Sequence, residues 1–206
     1  MKKEVEIVVP KSWSAVTLKD YLELSKDLKA YEDSDEAMTA VMFHRLCKMP
    51  VEWIAKLDIE TYVKIKKDLS TFLSNTEQPL QQIIKIDGVE YGFEPNLSNM
   101  SYGSYIDITK YNELTINDKW AEIMSILYRP VIIKTGKLYD IKEYDGKIDG
   151  TPFLSLGMDI HFGALFFLRN LLTDLLKDTM NYLMGMEEVP PSIKSILERS
   201  GVLTPQ

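Results

Sequence analysis

"QIIKIDGVEYGF", residues 82–93, decides how this chain folds. Two segments of alternating apolar and polar residues flank Asp87-Gly88, a dipeptide suited to a type I′ turn because both central residues there need positive φ. The reading is a β-hairpin. Upstream, "EVEIVVP" (4–10) has the β-branched composition of a short strand and ends at Pro10, which has no N–H for a ladder.

Three helices are expected between that strand and the hairpin. Thr17 suits the N-cap of "LKDYLELSKDLKA" (18–30), where Leu18, Tyr21, Leu22, Leu24 and Leu28 recur at helical spacing. Ser34 suits the cap of "DEAMTAVMFHRLCK" (35–48), acidic at its start and basic at its end as the helix dipole favours, with Pro50 beyond it. Asp58 opens "IETYVKIKKDLSTFLS" (59–74), with Ile59, Tyr62, Val63, Leu69, Phe72 and Leu73 read as inward and Lys64, Lys66 and Lys67 as outward.

Downstream of the hairpin, Ser101 can cap a helical turn through "YGSYIDITKYNEL" (102–114), and "INDKWAEIMSILY" (116–128) has helical spacing up to Arg129-Pro130. "VIIKTGKLYDIKEY" (131–144) repeats the hairpin logic around a three-residue connection, Thr135-Gly136-Lys137. A helix over 158–184 follows, about 40 Å long if continuous; its "FGALFFL" (162–168) is apolar nearly all round, which suits a central core helix or one that also contacts another chain. A short last helix is expected in "PPSIKSILERSG" (190–201). The fold class is therefore α+β, predominantly helical with two short β-hairpins and a long C-terminal core helix. A single domain over 1–206 is expected, with an N-terminal helical layer (1–80) and a hairpin-and-helix part (81–206).

Composition narrows the function classes. Hydrophobic residues make up 45% and charged residues 27% of the 206, ordinary values for a folded chain. The formal net charge of −7 opposes binding to a phosphate backbone or an anionic leaflet, so neither nucleic acid nor membrane is an expected partner. Asp159, Arg169, Asp174, Lys177 and Asp178 interrupt the longest apolar stretch and argue against a membrane span. One cysteine, Cys47, and no signal-peptide pattern at the start point to synthesis in a reducing cytoplasm.

Chemistry-bearing patterns are few. Neither G-x-G-x-x-G nor G-x-x-x-x-G-K-[ST] occurs, so the usual phosphate cradles are not expected. His44 and Cys47 share a helix face but offer zinc only two ligands, and as a Cys-His dyad they have nothing to orient the histidine. Asp140, Glu143, Asp145 and Asp149 could supply oxygen ligands for calcium, but their spacing misses the EF-hand loop, and solvated turns are the simpler reading. No catalytic residue, metal or cofactor is expected. Tyr91, Phe93, Tyr102, Tyr105 and Tyr111 are aromatics near loops, where an apolar body with a polar tip suits an interface or hairpin packing.

Five stretches taken together, "VPKSWSAVTLKDYLELSK" (9–26), "IDGVEYGFEPNLSNMSYGSYIDITKY" (86–111), "ILYRPVI" (126–132), "YDIKEYDG" (139–146) and "MDIHFGALFFLRNLLTDLL" (158–176), resemble a family of small morphogenesis proteins of tailed bacteriophages. Members are described as tail assembly chaperones or as baseplate proteins of T-even-type phages. The resemblance implies a non-enzymatic protein in the host cytoplasm that binds phage tail or baseplate proteins, either leaving as a chaperone or staying in the virion as a structural component. A homo-oligomer is compatible with it.

In that light the hairpin and the segment after it would offer an edge strand and aromatic anchors to a partner, with Tyr91, Phe93, Tyr102 and Tyr105 as contact residues. Arg129 could pair with a carboxylate of the partner or, as an internal ion pair, fix the end of its own helix. The alternative is a small intracellular adaptor or regulatory module whose helical layer binds a protein.

Overall fold

Asp87 and Gly88 take φ of +49° and +86°, the paired positive values of a type I′ turn, and they join β1 (Ile83–Ile86) to β2 (Val89–Phe93) in the expected register, Ile86 opposite Val89. These are residues of a computed structural model that describes 7–97, 100–111 and 115–184. Among the described residues the other elements are α1 (Leu18–Ala30), α2 (Asp35–Leu46), α3 (Val51–Ile54), α4 (Ile59–Ser74), α5 (Tyr102–Thr109), α6 (Trp120–Leu127), β3 (Tyr128–Thr135), β4 (Leu138–Ile141) and α7 (Met158–Met184). The α+β class is as expected, and the two hairpins merge into one antiparallel sheet of order β1-β2-β3-β4.

The merger rests on residues read from sequence as the end of a helix. α6 stops at Leu127, and Tyr128, Arg129 and Pro130 form the start of β3, opposite Phe93, Gly92 and Tyr91. The residue before a proline is biased away from helix, and pairing with β2 then captures the extended chain. Pro130 still contributes its carbonyl, which accepts from the Lys142 N–H at 2.8 Å. The β3–β4 connection has two residues, not three: Thr135 pairs with Leu138, and Gly136, at φ +63°, takes the first turn position.

Tyr139 of β4 reaches over β3 to donate its hydroxyl to the Phe93 carbonyl at 2.7 Å. Its ring fills the space above Gly92, where an added Cβ would stand 2.5 Å from the ring and 2.7 Å from Ile141 Cγ2. Gly92→Ala should therefore destabilise the fold by about 1–3 kcal/mol through overpacking. Chemical denaturation checks this; an unchanged midpoint would mean that the ring moves aside freely.

Helices α1, α2 and α4 start where their caps place them. Thr17, Ser34 and Asp58 accept from the N–H groups of Asp20, Ala37 and Thr61 at 3.1, 3.2 and 2.8 Å. In α4 the buried residues are Ile65, Leu69 and Phe72, whereas Ile59 and Val63, expected inward, are 80% and 57% exposed. The inward stripe runs through 65, 69 and 72 at spacings of four and three, and Val63 lies off its line. Ile7–Pro10, the described part of the expected first strand, pairs with nothing in the sheet. β-branched composition favours an extended chain, but only a partner edge makes it a strand. The remainder of that strand and the helix expected at 190–201 lie outside the described residues.

Two stretches of like build join the helical layer to the sheet. A 3₁₀ turn at Trp13–Ala15 leads to α1, and one at Thr151–Ser155 leads to α7. Between them Leu18 N–H donates to Leu156 O (3.0 Å) and Met158 N–H to Val16 O (2.8 Å), a bridge centred on Thr17 and Gly157. Leu18 and Met158 are fully buried as a result. Trp13 then stacks near Phe72 (4.3 Å) and meets Phe162 edge-on (4.9 Å), while Phe93, Tyr128 and Phe153 form a second aromatic group under the sheet.

The contacts divide the chain into two compact units, one ending at Phe167 and the other starting at Leu168. Within the first, α7 is core from Met158 to Leu165: Phe162, Ala164 and Leu165 are buried, and Phe167 is 37% exposed. No helix among the described residues is long and apolar enough to cross a membrane.

Candidate functional site

α5 presents the clearest apolar surface. Ser101 caps it by accepting from the Ser104 N–H at 3.2 Å, and over its eight residues Tyr102, Tyr105 and Ile106 share one face at spacings of three and four. That face is open: the tyrosines are 78% and 56% exposed and Ile106 36%. The opposite face is tied down. Ser104 is fully buried, and Asp107 accepts from both the Lys110 ammonium and the Tyr144 hydroxyl. Lys110, then Tyr144, hold the Asp107 carboxyl below its usual range, and burial followed by Asp107 pushes the Tyr144 phenol up.

A second tyrosine–carboxylate–lysine set secures the segment after α5. Tyr111 donates to Glu122 at 2.7 Å, and Lys119 reaches the same carboxylate at 3.1 Å. The Tyr111 phenol is pushed up to about 12, first by burial and then by Glu122. Both sets keep their hydrogen bonds across the neutral range, so the exposed tyrosines stand on a braced support.

The other three expected contact residues are placed differently. Phe93 is 3% exposed, packed edge-on against Tyr128 (5.1 Å) and Phe167 (5.4 Å), because β2 is an inner strand whose residue 93 faces the core. Tyr91 is half-buried, edge-on to Phe153 at 5.9 Å. Arg129 is spent inside the protein: its side chain donates to Lys142 O (2.8 Å), Ile126 O (3.0 Å) and Glu94 (2.5 Å), with the two charged side chains only 12% and 9% exposed. The internal pairing, one of the two alternatives for this residue, is the one formed. Tyr91 and Arg129 do come together, lining a cleft of about 230 Å³ with Tyr144 and Asp145. β2 is an inner strand, while β1 of the same hairpin lies at one edge of the sheet and β4 at the other.

A surface that sequence reading missed is the tip of the β3–β4 hairpin. Ile132, Ile133 and Leu138 are 62%, 60% and 79% exposed. The signal was present in "VIIKTGKL", an apolar run on both sides of a turn, but alternation alone does not tell a covered strand from an open one.

His44 Nδ1 donates to the Met49 carbonyl at 2.8 Å, and Cys47 is buried, its thiol pushed up to about 11 by burial. In the acidic loop Asp145 pairs with Lys142 (3.0 Å) and accepts from Lys147 N–H, while Asp149 accepts from Thr151 N–H. Among the described residues no three His, Cys, Asp or Glu side chains gather as a metal site. His161 is fully buried between the Trp120 indole, whose N–H it accepts at 3.2 Å, and the Phe153 carbonyl at 3.1 Å.

No protein-family model matches the chain, and neither a curated protein nor a solved structure matches it.

Proposed function

We propose that this chain is a non-enzymatic bacteriophage morphogenesis protein that works through protein–protein contacts in tail or baseplate assembly, as an assembly chaperone or as an incorporated component of the virion. The observation that carries the reading is the braced, solvent-facing pair Tyr102 and Tyr105 with Ile106 on α5. Exposed aromatics on a rigid support suit interface anchoring, since their large apolar area is presented at little conformational cost. The segment belongs to the longest stretch of the family resemblance, and α5 replaces the inner strand β2 as the contact element.

Quantitative mass spectrometry of purified particles beside infected-cell lysate tests the reading. A fixed copy number per particle marks a structural component, whereas presence in lysate with tail or baseplate proteins bound, and absence from particles, marks a chaperone. Recovery of host proteins alone would overturn tail assembly in favour of an adaptor. Replacing Tyr102 and Tyr105 by alanine should weaken capture of the tail or baseplate partner by roughly 30-fold or more. The melting temperature should stay unchanged, because neither ring is packed inside.

A further inference from the structure

The tip of the β3–β4 hairpin is apolar, basic and poorly supported. β2 pairs with β3 only over Tyr128–Pro130, so from Val131 onward the ladder of β3 is shared with β4 alone, with an irregularity between Val131 and Ile133. A two-stranded ribbon is marginal by itself in water, and this one holds Ile132, Ile133 and Leu138 in solvent. Between Val131 and Tyr139 the only charges are Lys134 and Lys137, in a chain whose formal net charge is −7. Lys134 is held by Glu90 at 3.0 Å, while Lys137 occupies the exposed turn.

The complementary charge lies elsewhere on the same chain. Between α1 and the first turn of α2, Glu32, Asp33, Asp35 and Glu36 are all exposed beside Tyr31, which is 52% exposed. None of the four forms an ion pair among the described residues, and no lysine or arginine lies between Lys29 and Arg45. Tip-to-tip pairing would set lysines against lysines, and corner-to-corner pairing would oppose four acids to four. Tip to corner joins opposite charges around an apolar centre.

From this complementarity we infer that the β3–β4 hairpin of one copy docks on the Tyr31–Glu36 corner of a second copy, so that the chain associates head to tail. Such a contact is heterologous and repeats into a ring or a filament according to its rotation. It stands apart from the tail-assembly reading, since particle composition and self-association are measured separately.

The test is sedimentation velocity of the full chain over a range of concentrations, at low and high salt. The expected result is a mass that rises with concentration at low salt and falls toward 23.7 kDa as salt screens the charges. Lys137→Glu should weaken association roughly tenfold, Glu32→Lys with Asp33→Lys should do the same, and all three in one chain should restore it. Leu138→Ser should weaken it with an unchanged melting temperature, its side chain being open to solvent. A monomer at the highest soluble concentration in low salt would overturn the inference, as would failure of the combined charge reversal to restore association. A chain that stays monomeric but sediments with phosphatidylserine vesicles would overturn it in favour of a membrane surface.

Discussion

Arg129→Ala is expected to cost about 3–5 kcal/mol of folding stability, because it leaves the Glu94 carboxylate buried without its cation. The pair is mostly shielded, at 12% and 9% side-chain exposure, and the same guanidinium also satisfies the carbonyls of Ile126 and Lys142. Those two acceptors belong to the end of α6 and the residue after β4, so one side chain ties a helix, a sheet edge and the end of β2 together. Urea denaturation gives the loss directly. Replacing Glu94 by leucine in the Arg129→Met background should recover much of it, since removing both charges is far cheaper than stranding one. Recovery will be incomplete, because the two carbonyls still lose their donor. Partner capture by α5 should persist in folded Arg129→Ala protein; its loss there would return Arg129 to the interface.

The second large effect is on pH. Burial holds His161 neutral and lowers its pKa from 6.5 to about 4 in the folded protein, while the unfolded chain takes up a proton near the ordinary value. Between those two pH values the unfolded state binds more protons, so stability is full above pH 6.5 and is lost as pH falls toward 4. The complete loss from this group is about 3 kcal/mol. His161 sits where protonation is most disruptive, since a second N–H would face the donating Trp120 indole at 3.2 Å. Denaturation series at several pH values should show this slope, and His161→Gln should flatten it at the cost of lower stability at neutral pH. An equal slope in the variant would assign the acid sensitivity to other groups.

The sequence by itself determined the local structure, because local structure here depends on neighbours within a turn or two. Asp87-Gly88 dictates the hairpin turn, Thr17, Ser34, Asp58 and Ser101 mark helix starts by accepting N–H groups three residues on, and Phe162 to Leu165 announce a buried helix face. The Ser101 cap and a spacing of three likewise put Tyr102 and Tyr105 on one face of a short helix.

What lies beyond that reach was decided by tertiary structure. Tyr128–Pro130 became a strand only because β2 offered an edge, and Phe93 and Arg129 left the candidate site because that pairing turned β2 into an inner strand and brought Glu94 to the guanidinium. Val63 and Ile59 stayed in solvent because α4 packs through Ile65, Leu69 and Phe72. Which face of an element is covered depends on partners distant in sequence, here 35 residues for Glu94–Arg129 and 41 for Trp120–His161. A periodicity records that a face exists; only the packed neighbour says whether water or protein meets it.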